Sequence, residues 1–106
     1  MASLLAACTG AQQAAAQVQV FKYRGSVQCT GGGTSIAELQ RKLESAGIAV
    51  AASSCGIDGR LYPAVCDGPD GAIAIFEIPA NQLERASSLS FLPLTGLPGA
   101  REAPCR

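Results

Sequence analysis

Three patterns of apolar and polar positions organise the chain. From Val18 to Cys29 β-branched and aromatic residues alternate loosely with polar ones, Val-Gln-Val-Phe-Lys-Tyr-Arg-Gly-Ser-Val-Gln-Cys, and a period of two predicts a strand. Gly25 lies inside this run, where a glycine marks a bulge or a break. Between Thr34 and Ala46 the period changes. Ile36, Leu39, Gln40 and Leu43 recur at helical spacing and Glu38, Arg41, Lys42 and Glu44 take the other side, which predicts an amphipathic helix. Ser35 followed three residues later by Glu38 has the form of a capping box, and Gly47 can take the left-handed conformation that ends such a helix.

The third pattern is Ala72-Ile73-Ala74-Ile75-Phe76-Glu77-Ile78. Both alternating sets are largely apolar, so this strand must be covered on both faces and belongs at the centre of a sheet. Between the helix and this strand, Ile48 to Ser54 reads as a small-residue strand, followed by a turn at Cys55-Gly56-Ile57-Asp58-Gly59. Leu61 to Cys66 reads as a third strand confined to an edge, because Pro63 has no N–H to give a central ladder. A second turn, Asp67 to Gly71, leads into the central strand. Pro79 suits the first turn of a second helix over Ala80 to Ser88, with Leu83 and Ala86 on one side, and Phe91 to Leu94 gives a short last strand.

The order is strand, helix, strand, strand, helix, strand. The expected fold is α+β, a ferredoxin-like split βαβ (βαββαβ) two-layer sandwich with an extra edge strand at 61–66. The folded domain is expected over 18–95, with a loose tail at 96–106. With 106 residues, of which 48% are hydrophobic, and eight basic side chains balancing eight acidic ones, the composition is that of one packed domain.

Five cysteines are many for such a chain, and none forms a Cys-x-x-Cys pair of the kind that binds zinc or does redox chemistry. Disulfides account for them better, and these persist in oxidising compartments outside the cytoplasm. With Cys8 set aside, Cys29, Cys55, Cys66 and Cys105 allow three pairings. Cys55 with Cys66 and Cys29 with Cys105 is the arrangement favoured, and Cys29 with Cys66 is the alternative.

The chain opens with an apolar run ending in Leu5-Ala6-Ala7-Cys8. This resembles the lipobox of bacterial lipoproteins, in which a small-residue pair precedes a cysteine that is acylated through sulfur and becomes the new N-terminus. The resemblance implies that residues 1–8 are a signal remnant, that Cys8 is the lipidation site, and that the protein is a periplasmic lipoprotein anchored to a membrane. Residues 9–17 carry no charge and only small or amide side chains ahead of Gln17, the composition of a flexible tether. No stretch approaches the roughly 20 apolar residues that a membrane-spanning helix needs. A fainter likeness lies in Ala37-Glu38-Leu39 through Leu43 and on to Ala46-Gly47-Ile48-Ala49-Val50, which is similar to SPOR domains. That likeness implies a βαββαβ fold that binds peptidoglycan.

Charge and side-chain chemistry narrow the function classes. A neutral chain with five aromatics and no Trp lacks the positive field and stacking platforms that nucleic acids require. With no His, the commonest general base and metal ligand is missing, and Ser53, Ser54, Ser87 and Ser88 have no partner to activate them. The expectation is a non-catalytic protein without cofactor or metal. Gly31-Gly32-Gly33-Thr34-Ser35, between a strand and a helix N-terminus, is the one candidate anion or ligand loop. Asp58, Asp67 and Asp70 are better explained by turn chemistry than by calcium. The functional expectation is an envelope lipoprotein serving as a protein-interaction module, with peptidoglycan binding as one alternative. The other is a small inhibitor presenting a disulfide-braced loop such as Ile57 to Pro63.

Overall fold

A computed structural model describes residues 16–105 of the chain. Its sheet contains strands β1 (Gln17–Tyr23), β2 (Ala52–Ile57), β3 (Ala72–Pro79), β4 (Leu92–Pro93) and β5 (Arg101–Glu102) in the order β4-β1-β3-β2-β5, every pairing antiparallel. Helix α1 (Ile36–Ser45) joins β1 to β2, and α2 (Leu83–Ser88), entered through a 3-10 turn at Ala80–Gln82, joins β3 to β4. The molecule is thus α+β, with an open five-stranded antiparallel sheet and two helices.

The alternation in β1 and β3 builds two cores on opposite faces of the sheet. Val20, Ala74, Phe76 and Ile78 pack with Leu39, Leu43, Ile48, Ala86 and Phe91 on the helical side. The rings of Phe76 and Phe91 meet edge to face with centroids 5.9 Å apart, an arrangement that suits their quadrupoles. Phe21, Ile73 and Ile75 point the other way, where Leu97 covers them with help from Leu94 and Ala100. β3 lies between β1 and β2 and is apolar on both faces, as its sequence requires. In α1 the capping box is present, with Ser35 accepting from the Glu38 amide and Glu38 accepting from the Ser35 amide.

Several boundaries differ from those read along the chain. β1 stops at Tyr23 rather than Cys29, because Gly25 turns the backbone into the left-handed region (φ 78°); beyond it Val27 makes only isolated bridges, to Gly31 and Pro69. β2 begins at Ala52, since Ile48 is drawn into the helical core and its amide closes α1 by donating to the Leu43 carbonyl at 3.1 Å. Residues 61–66 form no strand. The extra edge strand is β5, from the segment read as a tail, and it pairs Gly56 with Glu102 and Ile57 with Arg101. The domain therefore extends past residue 95. It also starts earlier than 18, as Gln17 pairs with Pro79 and the Ala16 carbonyl accepts from the Ala80 amide. Cys8 and residues 9–15 of the tether lie outside the described residues.

The disulfides are Cys29–Cys66 and Cys55–Cys105, with Cα separations of 5.2 and 5.1 Å. This corrects the favoured pairing and contains the alternative. The reason is β5. By folding the end of the chain along β2, it brings Cys105 to Cys55 and leaves Cys66 to Cys29.

Candidate functional site

The segment between β2 and β3, residues 58–71, contains no helix or strand, so side chains must do the holding that a backbone ladder does elsewhere. Asp58 is the first holding point. Its side chain is buried, with 3% of the residue exposed. Its Oδ2 accepts from the Tyr23 hydroxyl at 2.9 Å and from the Tyr62 hydroxyl, and its Oδ1 accepts from the Arg60 amide at 2.9 Å. Burial alone would raise the Asp58 carboxyl, but the hydrogen bonds from Tyr62, the Arg60 amide and Tyr23 outweigh it and hold the group below the usual carboxylate range. Those bonds act reciprocally on the phenols. The bond to Asp58 pushes Tyr62 up to about 12, and burial followed by the same carboxylate raises Tyr23.

Gly71 is part of this arrangement. It has φ 75°, and a Cβ there would sit 2.7 Å from Asp58 Oδ1 and 2.8 Å from Tyr62 Cε2. Only glycine leaves the carboxylate room beside the start of β3.

Gln28 is the second holding point. Its Nε2 donates to the carbonyls of Pro63 at 2.8 Å and Pro69 at 3.1 Å, and its Oε1 accepts from the Val65 amide at 3.1 Å. Its backbone adds two more bonds, with the amide donating to Gly68 and the carbonyl accepting from Asp67. Cys29, next in sequence, then adds the covalent link to Cys66. One amide side chain and one disulfide thus do for the loop what strand pairing does for its neighbours.

The scaffold displays two large apolar side chains beside the charged Arg60 and Asp67. Leu61 is 99% exposed and Val65 54%, whereas the Tyr62 hydroxyl is turned inward to Asp58. Beside the loop lies a depression of about 550 Å³ lined by Arg24, Ser26, Gln28, Thr30, Ile57 and Asp70, among others. The Ser26 hydroxyl donates to Asp70 Oδ1 at 2.9 Å, and the same oxygen accepts from the Ala72 amide. Asp70 and Asp58 therefore serve separate hydrogen-bond networks. Among the described residues no three His, Cys, Asp or Glu side chains group as a metal site.

The glycine loop is only partly brought to this depression. Gly31 and Gly32 line it along with Cys29 and Cys55. Gly33 does not: with φ 79° it is pressed against the Arg24 carbonyl, where a Cβ would come within 2.6 Å. The Thr34 amide donates to that carbonyl at 2.8 Å, and the Thr34 carbonyl accepts from Arg24 Nε at 2.9 Å. Ser35 is committed to the helix cap, where the chain's own Glu38 carboxylate occupies the place an anion would take. The Ser35 amide, then its hydroxyl, hold that carboxyl below its usual range. Thr34 and Ser35 thus serve loop closure and capping. Sequence reasoning missed Gln28, Tyr62 and Tyr23, for a glutamine or tyrosine in a loop carries no motif. The available signal is the turn chemistry of Asp58-Gly59, Pro63 and Asp67–Gly71, which flanks the aliphatic residues Leu61 and Val65.

The two disulfides place the folded protein in an oxidising environment. Among the described residues no helix is long and apolar enough to cross a membrane. Comparison with protein-family models, with curated proteins and with solved structures gave no match.

Proposed function

We propose that this chain is a non-catalytic protein-interaction module of the cell envelope, which meets its partner through the braced loop 58–66. The observation that carries the reading is Leu61, wholly exposed at the tip of a segment that a disulfide, Gln28 and Asp58 hold in one shape. Leu39 and Leu43 of α1 are buried and Leu89 and Leu92 are less than half exposed, whereas Leu61 stands wholly in water on a segment held in one shape, where a partner can cover it. Pre-ordering the loop reduces the entropy lost on association. Asp58, as a carboxylate saturated by donors, is a weak base, which favours a holding role over a catalytic one.

Two further parts of the reading rest on other supports. The fold is taken as ferredoxin-like with a fifth strand added. Its support is that β3 lies between β1 and β2, which α1 connects, while β1 lies between β3 and β4, which α2 connects. Lipid anchoring through Cys8 rests on the Leu-Ala-Ala-Cys sequence together with the oxidising compartment. Mass analysis of the protein taken from its native membrane tests that anchor.

The interaction reading is tested by retention of envelope proteins on the immobilised full chain. Leu61→Asp and Val65→Asp are expected to abolish a retained species that Leu89→Asp and Leu92→Asp leave in place, the latter two being exposed leucines outside the loop. Equal retention by all four variants would refute the role given to the loop.

A further inference from the structure

The geometry points to a specific kind of partner: a serine endoprotease with an apolar primary pocket, for which Arg60–Pro63 is a substrate-like inhibitory segment and Leu61–Tyr62 the peptide bond presented. This rests on the loop-mediated interaction proposed above and names the partner for it.

Four features carry the inference. Among the large apolar side chains of the loop Leu61 alone is fully exposed, since Tyr62 is turned to Asp58 and Val65 is only 54% exposed, and its neighbour Arg60 is charged; one such aliphatic side chain fits a pocket rather than a flat patch. Among the described residues, the amides and carbonyls of Leu61 and Tyr62 make no hydrogen bond to the chain. They are thus open to the strand-like main-chain bonds by which extended peptides are held in clefts. The segment is anchored on its C-terminal side by Gln28 at Pro63 and Val65 and by Cys29 at Cys66.

The fourth feature concerns cleavage itself. Asp58 holds both sides of the presented bond, taking the Arg60 amide on Oδ1 and the Tyr62 hydroxyl on Oδ2. When a protease serine oxygen attacks the Leu61 carbonyl carbon, the bond to the Tyr62 nitrogen breaks, and that nitrogen leaves with a proton from the protease's base. In an ordinary substrate the amine departs and water takes its place. Here Tyr62 stays tied to the same carboxylate as Arg60, so its amine remains beside the acyl carbon and re-forms the peptide bond in competition with water. A loop so held is bound as a substrate and released uncut or cut only slowly, which is inhibition.

The test uses the full chain, with chymotrypsin and subtilisin as apolar-pocket probes and trypsin as the basic-pocket control, each assayed on a small chromogenic substrate. Titration of at least one apolar-pocket enzyme to low residual activity is expected, with trypsin unaffected. Leu61→Gly should weaken inhibition at least about 100-fold, equivalent to about 2.7 kcal/mol of lost side-chain burial. Leu61→Lys should transfer inhibition to trypsin. Because Leu61 touches nothing that folds the protein, unchanged melting confirms that these variants are intact. Asp58→Asn should convert the inhibitor into a substrate cut at 61–62. Absence of inhibition by the wild type, complete digestion of a molar excess, or equal inhibition by Leu61→Gly would each overturn the protease assignment. If loop-dependent retention of another envelope protein persists in that event, the interaction reading stands and only the partner class falls.

Discussion

The Tyr23 hydroxyl donates to Asp58 Oδ2 across 2.9 Å, tying the last residue of β1 to the first residue after β2, although β3 separates the two strands. The bond runs past the central strand at the end of the sheet where the displayed loop leaves it. Sheet and loop are thereby joined through one carboxylate, and its ionisation bears on both.

Stability should follow pH accordingly. Asp58 is held below 3.8, so its contribution is present above that value and is lost as pH falls through its folded pKa. Tyr62 is raised from 10.0 to about 12, so its contribution is full below 10.0 and lost as pH rises through about 12. Urea unfolding over a pH series is expected to show a loss of stability at each end. Asp58→Asn should remove the Asp58 part of the acid limb and cost roughly 1 to 3 kcal/mol at neutral pH, because buried donors lose their ionised acceptor. An unaltered acid limb in the variant would exclude Asp58 as its source.

The disulfides should separate by what they hold. Each closes a long loop, with 37 residues of separation for Cys29–Cys66 and 50 for Cys55–Cys105, and each is expected to contribute on the order of 2 to 4 kcal/mol. Replacing Cys55 and Cys105 by Ser should speed hydrogen exchange at Ala103, whose amide donates to the Cys55 carbonyl at 3.0 Å. Replacing Cys29 and Cys66 by Ser should instead loosen Val65 and Gly68 while the amides of β3 stay protected. Identical exchange patterns for the two pairs would contradict this division.

Leu97 tests whether the end of the chain is structural. It covers Phe21, Ile73 and Ile75 and is 6% exposed, so Leu97→Ala should cost about 2 to 4 kcal/mol in a denaturant melt. Leu92→Ala, at a residue 47% exposed, should stay within about 0.5 kcal/mol of wild type. Similar melts for both would mean that the second face is not packed as described.

Much of this fold was legible because it follows from local rules. Ser35 and Glu38 form their box, and Leu39 and Leu43 are buried on the face their spacing assigned them. Ile73, Ile75 and Phe76 lie on opposite faces of a strand paired on both edges. The site was less legible. Gly25 announced a break, but nothing in Gln28 said that its amide would reach Pro63 and Pro69, more than thirty residues along the chain. Asp58 has the sequence context of a turn residue, and only burial beside two phenols makes it a hub.

The amino-acid order by itself determined the amphipathic helix, the doubly apolar central strand, the turns at Asp58-Gly59 and Asp67–Gly71 and the need for an oxidising compartment, because periodicity, capping, turn chemistry and cysteine content act over a few residues or over composition. Tertiary structure decided which cysteines join, that Leu94, Leu97 and Ala100 cover the second face of the sheet, and that Leu61 is left in water. These depend on which distant segments meet. The two short strands at the sheet edges, β4 and β5, have only two residues each, too few to carry a pattern, and they exist because a neighbouring strand offers them an edge.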